Sequence, residues 1–405
     1  MLPLWIYFNL APGNSTANVC DMLQHQRSAF NIPKDITFLN CAYLAPLPKT
    51  VEAVGIKAMQ RKRNPTLITA NDFFSDTDKL RREYAKLINT VEDKRIVVIP
   101  SVSYGIANAA NNIPLGQGDQ VIVIGEEFPS NFYPWVKRCE ATGATLRTIA
   151  APDTLERRGA TWNQRILEAI NASTRVVAMG NVHWADGTRF DLAEIRKRTK
   201  EVGAALIIDG SQSIGALPFD MQKIQPDALV TVGYKWILGP YSIGLGYYGP
   251  MFDGGTPIEN SWMNRLNAED FRALVNYQDE YKEGSLRYEV GEHANFIGVP
   301  MLIESLKLIN KWKPANIQKY CNSITKDAID ELRANGYWIE DDDSRGQHLF
   351  GIRAPKHVDI DKVIAKFKKN KVYVSFRGNA MRIAVNVYNT GRDLERLASL
   401  LLSVK

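Results

Sequence analysis

The segment from Ala205 to Gly249 constrains the chain more than any other. Leu206–Ile208 is a short apolar β run that ends on a carboxylate, Asp209. Leu229–Val232 is a second apolar β run, and it leads into Gly233-Tyr234-Lys235-Trp236. In an open α/β sheet, ligands bind in the crevice beyond the carboxyl ends of the strands. An acid closing one strand and a lysine just past a neighbouring one therefore mark a candidate site. Asp209 alone fits a helix cap equally well. Lys235 is harder to place on a surface, because Tyr234 and Trp236 flank it and Ile237, Leu238, Gly239 and Pro240 follow. Burial lowers a lysine pKa, and a neutral amine is a candidate for Schiff-base chemistry.

A carboxylate facing a pyridinium nitrogen is the other half of pyridoxal phosphate (PLP) chemistry. Asp209-x-x-Gln212 followed by Gly233-Tyr234-Lys235-Trp236 resembles the cofactor core of the class V aminotransferase family, fold type I among PLP enzymes. That family includes cysteine desulfurases, selenocysteine lyases, kynureninases and isopenicillin N epimerase-like proteins. The resemblance runs from about Phe38 to about Asp393. It implies an α/β fold like that of aspartate aminotransferase. A mostly parallel seven-stranded sheet would lie in a large PLP-binding domain over 36–300. A smaller α+β C-terminal domain would occupy 301–405, with the N-terminal segment 1–35 able to join it. Asp209, Gln212, Tyr234 and Lys235 would contact the cofactor, and the active site would lie at the interface of a homodimer.

The length, 405 residues, is enough for two domains. The net charge of +6 comes from nearly balanced counts, 50 basic against 44 acidic residues, with no basic block. Nucleic-acid binding is therefore not suggested. Cys20, Cys41, Cys139 and Cys321 are scattered, with no CxxC pair, which favours a reducing, cytoplasmic setting. The histidines lack metal-ligand spacing, so no metal is expected, and no apolar run is long enough to span a bilayer. Met1–Leu10 is apolar but lacks a basic n-region, so it reads as an arm rather than a signal peptide.

Further motifs follow in order. Ile36–Asn40 is strand-like, and the turn Cys41–Pro48 comes next. The resemblance places Tyr43 and Leu44 of this turn near the substrate. Val51–Arg63 and Thr77–Ile88 are amphipathic helices, and Ile96–Ile99 is a strand. After it, Pro100–Asn108 opens a helix, whose positive N-terminal end suits a phosphate. Beside the Asp209/Lys235 pair, Ser103, Tyr104 and Gly105 become the candidate cradle. No Walker A loop or GxGxxG is present. Strand Gln120–Ile124 leads to Phe128, which stands where desulfurase-like members carry a ring-stacking histidine. Phe128-Pro129-Ser130 is more similar to the kynureninase pattern, and an aromatic face is sufficient for stacking.

Strands Thr145–Ile149 and Val176–Met179 precede Asn181–Gly187. That segment resembles the family loop whose side chain contacts the cofactor's phenolic oxygen. Trp184 stands where desulfurases carry asparagine, which leaves His183 or Asn181 for the contact. Asp191 is an N-cap candidate for a helix to Val202. Arg287–Asn295 is similar to the RFExGTxN segment that reaches a partner's phosphate site in dimeric members. Glu292 replaces its threonine, and a carboxylate beside a phosphate is unfavourable. Leu302–Trp312, Ile317–Ala334 and Leu394–Ser403 are helices, and His348–Ile352, Val372–Ser375 and Met381–Val385 are strands. Met381–Thr390 is similar to the family's LRxSxxxYNT, in which the arginine, here Arg382, binds the substrate α-carboxylate through its planar fork.

Between Val358 and Arg382 there is no cysteine, whereas desulfurases need a thiolate on that loop. The expectation is a PLP-dependent enzyme acting on an amino acid through an external aldimine. A lyase or epimerase without a catalytic cysteine is favoured. An aminotransferase and a catalytically silent PLP-fold binding protein are the alternatives. A silent copy could have lost Asp209, Gln212, Lys235 or Arg382, and all four are present.

Overall fold

A computed structural model describes residues 23–404. The arm expected at Met1–Leu10 lies outside the described residues, as does Cys20. Described strands are β1 (Thr37–Phe38), β2 (Ile96–Ile99), β3 (Gln120–Ile124), β4 (Thr145–Ile149), β5 (Thr174–Gly180) and β6 (Ala205–Asp209). They continue with β7 (Ala228–Val232), β8 (Gly244–Tyr248), β9 (Leu349–Ile352), β10 (Val372–Tyr373), β11 (Ser375–Arg377) and β12 (Ala380–Ala384).

The central sheet has seven strands in the order β2-β8-β7-β6-β5-β3-β4. Every neighbour pair is parallel except those of β8, which runs antiparallel to β2 and β7. Parallel strands need long crossovers, and the helices that make them cover both faces. The inner strands are largely apolar for this reason, whereas the edge strand β4 exposes Thr145, Arg147 and Thr148. On β6, Leu206 and Ile208 face one buried cluster while Ala205 and Ile207 face the other. The period of two divides one continuous run between two cores.

β6 and β7 are adjacent and parallel, with Asp209 opposite Val230. Asp209 and the Gly233–Trp236 turn therefore emerge at the same edge of the sheet. Gly105 packs under this edge. A Cβ there would sit 2.7 Å from Val230 Cγ1, so only glycine lets the helix Val102–Asn112 lie this close to β7.

Helices cap where side chains allow. Asp191 accepts from the Ala193 and Glu194 amides, starting Leu192–Val202 as expected. The helix Gly298–Trp312 begins a turn earlier than its apolar pattern predicts, because Asn295 Oδ1 accepts the Gly298 N–H at 2.8 Å. Pro129–Thr142 and Arg158–Ala169 are helices that the sequence pattern did not single out. Among the described residues no helix is long and apolar enough to cross a membrane.

The C-terminal strands form a separate antiparallel sheet, β11-β12-β9. The strand expected over Val372–Ser375 is divided. β10 pairs with β1, while β11 turns to β12. The expected strand Ile36–Asn40 divides similarly: β1 joins β10, and Asn40 bridges to Ala384. This N-terminal stretch is thus stitched to the C-terminal sheet. Five residues further on, the chain has crossed to the central sheet, where the Ala45 N–H donates to Tyr234 O at 3.0 Å.

Candidate active site

A cavity of about 270 Å³ opens beyond the carboxyl ends of β5, β6 and β7. Its wall includes Ser101, Glu127, Phe128, Trp184, Asp209 and Lys235. A second cavity adjoins it, lined by Tyr43, Leu44, Arg377 and Arg382. Phe128, Trp184, Tyr234, Lys235 and Tyr241 line both. Lys235 thus sits at the junction of two chambers.

Lys235 is buried, and its ammonium has no hydrogen bond or ion pair among the described residues. Its Nζ lies 5.2 Å from the Phe128 ring centroid and 5.7 Å from that of Tyr234. Burial pushes its pKa down to about 8; Asp209 opposes the shift, and Arg382 and Arg377 add to it. Asp209 is also buried, and burial pushes its carboxyl up. The Ser211 N–H, donating to Asp209 Oδ1 at 2.9 Å, and the nearby Lys235 charge pull the other way.

Glu127 is a site residue that sequence reasoning missed. Its Oε1 accepts the Phe128 N–H at 2.7 Å and its Oε2 the Gly180 N–H at 3.1 Å. Burial, then the charge of Asp209, pushes its pKa up to about 7. The acidic pair Glu126-Glu127 after β3 was the available signal, but which of the two turns inward depends on the path of the loop.

Several expected contacts are placed elsewhere. Tyr104 and Gly105 do not line the cavity. The Tyr104 ring packs against the core on one face of the sheet, its N–H donates to Ser101 Oγ at 3.3 Å, and the Gly105 N–H closes the helix onto Ser101 O at 3.2 Å. Ser103 faces an outer groove, with its Oγ 3.0 Å from Ser101 Oγ. The helix end that meets the cavity is Ser101 and Val102, about half a turn earlier. First-turn amides there have no partner within the helix.

His183 is also turned away. Past β5, Gly180, Val182 and Trp184 line the cavity, so the alternate residues Asn181 and His183 face the other side. His183 Nδ1 lies 2.9 Å from Asp186 Oδ1, and its ring meets Trp162 edge-on. Asp186 also pairs with Arg158 at 2.9 Å. Burial disfavours the His183 cation, but Asp186 outweighs it and raises the pKa.

Gln212 lines the cavity, yet both ends of its amide are engaged. Oε1 accepts from Trp236 Nε1 at 2.9 Å, and Nε2 donates to Ala42 O at 3.2 Å. It ties the lysine turn to the Cys41–Pro48 segment. Glu292 is exposed, at φ 57°, and lines neither cavity. From the same segment Glu289 is buried, accepting from Arg81 at 2.5 Å and from the Val98 N–H at 2.9 Å.

Arg382 projects from β12 into the second cavity and is 2% exposed. Nη1 donates to Trp184 O at 2.9 Å, Nη2 lies 3.5 Å from Ser375 Oγ, and Nε has no partner. Burial, then Arg377, pushes its pKa down to about 9. No carboxylate pairs with it among the described residues. A buried guanidinium left without an anion is expensive unless a ligand supplies one.

These residues fit pyridoxal phosphate: a partnerless amine, an aromatic wall at Phe128, a carboxylate at one strand end and a helix N-terminus at another. Fold and site together define a PLP-dependent enzyme. The chain belongs to the class-V aminotransferase family, whose sequence model matches residues 61–397, and its cofactor is pyridoxal phosphate. It is 27% identical to a probable cysteine desulfurase of Methanothermobacter thermautotrophicus, over 79% of this chain and 82% of that one. It is 24% identical to an uncharacterised aminotransferase of Bacillus subtilis, over 78% and 81%. Its fold is similar to that of C-DES carrying glycine covalently linked to PLP, with a TM-score of 0.83 at 17% identity over 94% of this chain and 100% of that one. C-DES is described as a cystine C–S lyase in its complex with cysteine persulfide.

Proposed function

We propose that this enzyme is a lyase or epimerase acting on an amino acid, with no cysteine taking part. The observation that carries the reading is Arg382, an unpaired buried guanidinium that shares a chamber with Lys235. It would hold the substrate α-carboxylate, which places the α-carbon beside the lysine. Pyridoxal phosphate, when bound, supplies a protonated ring that takes up the electron pair left at that carbon. Asp209 holds the proton on the ring nitrogen. Lys235 takes and returns the proton at the α-carbon, and a pKa near 8 suits both directions. Ser101 and Val102 would receive the phosphate, while Phe128 and Trp184 exclude water from the junction.

The thiol-independent part of the proposal rests on the cysteines. The three cysteines among the described residues, Cys41, Cys139 and Cys321, are buried. Cys41 lies behind the lysine, its Sγ 3.9 Å from Lys235 O, and burial pushes its thiol up to about 11. Such a group is a poor thiolate nucleophile. The C–S lyase activity named for C-DES supports elimination without transfer to an enzyme thiol. We expect a panel of amino acids to yield keto acid with ammonia or sulfide, or stereoinversion, at a rate that iodoacetamide leaves unchanged. Loss of activity on alkylation would return the reading to a desulfurase. An amino-group acceptor requirement would make it an aminotransferase.

We also propose a homodimer with the substrate chamber at its interface, a cytoplasmic setting and a division of the chain near residue 300. The two separate sheets support the division. The dimer is supported by the apolar rim of the chamber, where Tyr43 is 60%, Leu44 45% and Tyr241 69% exposed. Contiguous exposed apolar groups mark interaction surfaces. Leu44→Asp is expected to shift the protein towards monomer in sedimentation velocity and to lower turnover with it. A wild-type monomer that is fully active at micromolar concentration would overturn this.

A further inference from the structure

We infer that the substrate carries a second anionic group on its side chain and that Arg377 receives it. The inference rests on the reading of Arg382 as the α-carboxylate site. Arg377 ends β11, and Arg382 lies in β12. In their antiparallel register Ser375 is opposite Arg382 and Arg377 is opposite Ala380. The two arginines are therefore diagonal neighbours, with side chains leaving the same face of the hairpin. Both line the chamber that Lys235 and Phe128 close.

The chamber wall contains Lys235, Arg377 and Arg382 and no acidic residue. Arg377 Nη1 donates only to Phe376 O, at 2.8 Å, and its guanidinium lies 5.7 Å from the Trp184 ring centroid. Neither arginine has a carboxylate partner among the described residues. An α-carboxylate neutralises one guanidinium and leaves the other. The cofactor phosphate does not account for it, because the helix end at Ser101 and Val102 opens into the other cavity. A ligand with a distal carboxylate, sulfonate or phosphate satisfies both. Trp184 is the flat wall between the two anion sites, with its carbonyl bound to Arg382 and Arg377 near its ring.

Calorimetric titration of the holoenzyme with matched pairs tests this: aspartate against asparagine, glutamate against glutamine, and cysteate and phosphoserine against serine. The wild type is expected to bind at least one acidic member about tenfold or more tighter than its neutral partner, the scale of one charge-assisted bond. Whether carboxylate, sulfonate or phosphate binds best identifies the anion. Arg377→Gln should bring the ratio close to one, and Arg377→Glu should turn the preference towards ornithine. Equal binding of acidic and neutral members by the wild type, or a ratio that persists in Arg377→Gln, overturns the inference. Failure of the underlying reading looks different, as Arg382→Lys would then bind every member as the wild type does.

Discussion

Lys235→Ala is expected to give a folded protein that retains no pyridoxyl group after borohydride reduction and turns over at least about 10²–10⁴-fold more slowly, the usual contribution of a positioned acid–base group. The fold should survive because the change removes an ammonium that has no hydrogen-bond partner among the described residues. The same amine gives a pH dependence with a definite sign. Its pKa is pushed down from 10.5 to about 8, and only the neutral form is nucleophilic. Cofactor uptake by stripped wild-type protein should therefore rise about tenfold per pH unit up to near 8 and then level off. Peptide mapping of the reduced protein and stopped-flow absorbance check the two parts. A pyridoxyl label on another lysine, or a flat profile between pH 6 and 8, would remove Lys235 from its role. A protein that takes up no cofactor at all would be the silent binding homologue instead.

Arg382→Lys is expected to weaken amino-acid binding by about one to two decades while cofactor binding stays close to wild type. Lysine keeps a charge but loses the planar pair of donors that matches a carboxylate. A charge-assisted bond is worth roughly 1.5–3 kcal/mol. The cofactor should be spared because Arg382 lines only the outer chamber, whereas Asp209 and Ser101 line the inner one. Titrating the variant with the amino acid that the wild type processes, and measuring retained PLP absorbance alongside, decides the point. Unchanged substrate affinity would pass the α-carboxylate to Arg377. Arg287 is excluded as a substitute, since it stacks on Tyr281 at 5.0 Å and bonds Gly255 O at 3.2 Å, outside both chambers.

The sequence by itself determined the architecture and the chemical pair at its centre. Runs such as Leu206–Ile208 and Leu229–Val232 carry apolar residues on both faces, which only a sheet covered on both sides can bury. Asp209 and Lys235 then follow at strand ends, where open sheets bind ligands. Arg382 was legible through its motif, and it projects into the outer chamber. What the tertiary structure decided was direction. Beyond a strand end, a shift of one residue moves a side chain to the opposite face. Glu127 therefore lines the cavity although nothing in the sequence separates it from Glu126. His183 faces Asp186 and Trp162 while Trp184 takes the wall. At the helix end it is Ser101 and Val102 that line the cavity, while Ser103–Gly105 do not, because the start of the helix lies nearest the strand end it follows. The pairing of Arg377 with Arg382 is likewise a matter of register. Ser375–Arg377 and Ala380–Ala384 fold into a hairpin, and its register set two cations on one face of one chamber.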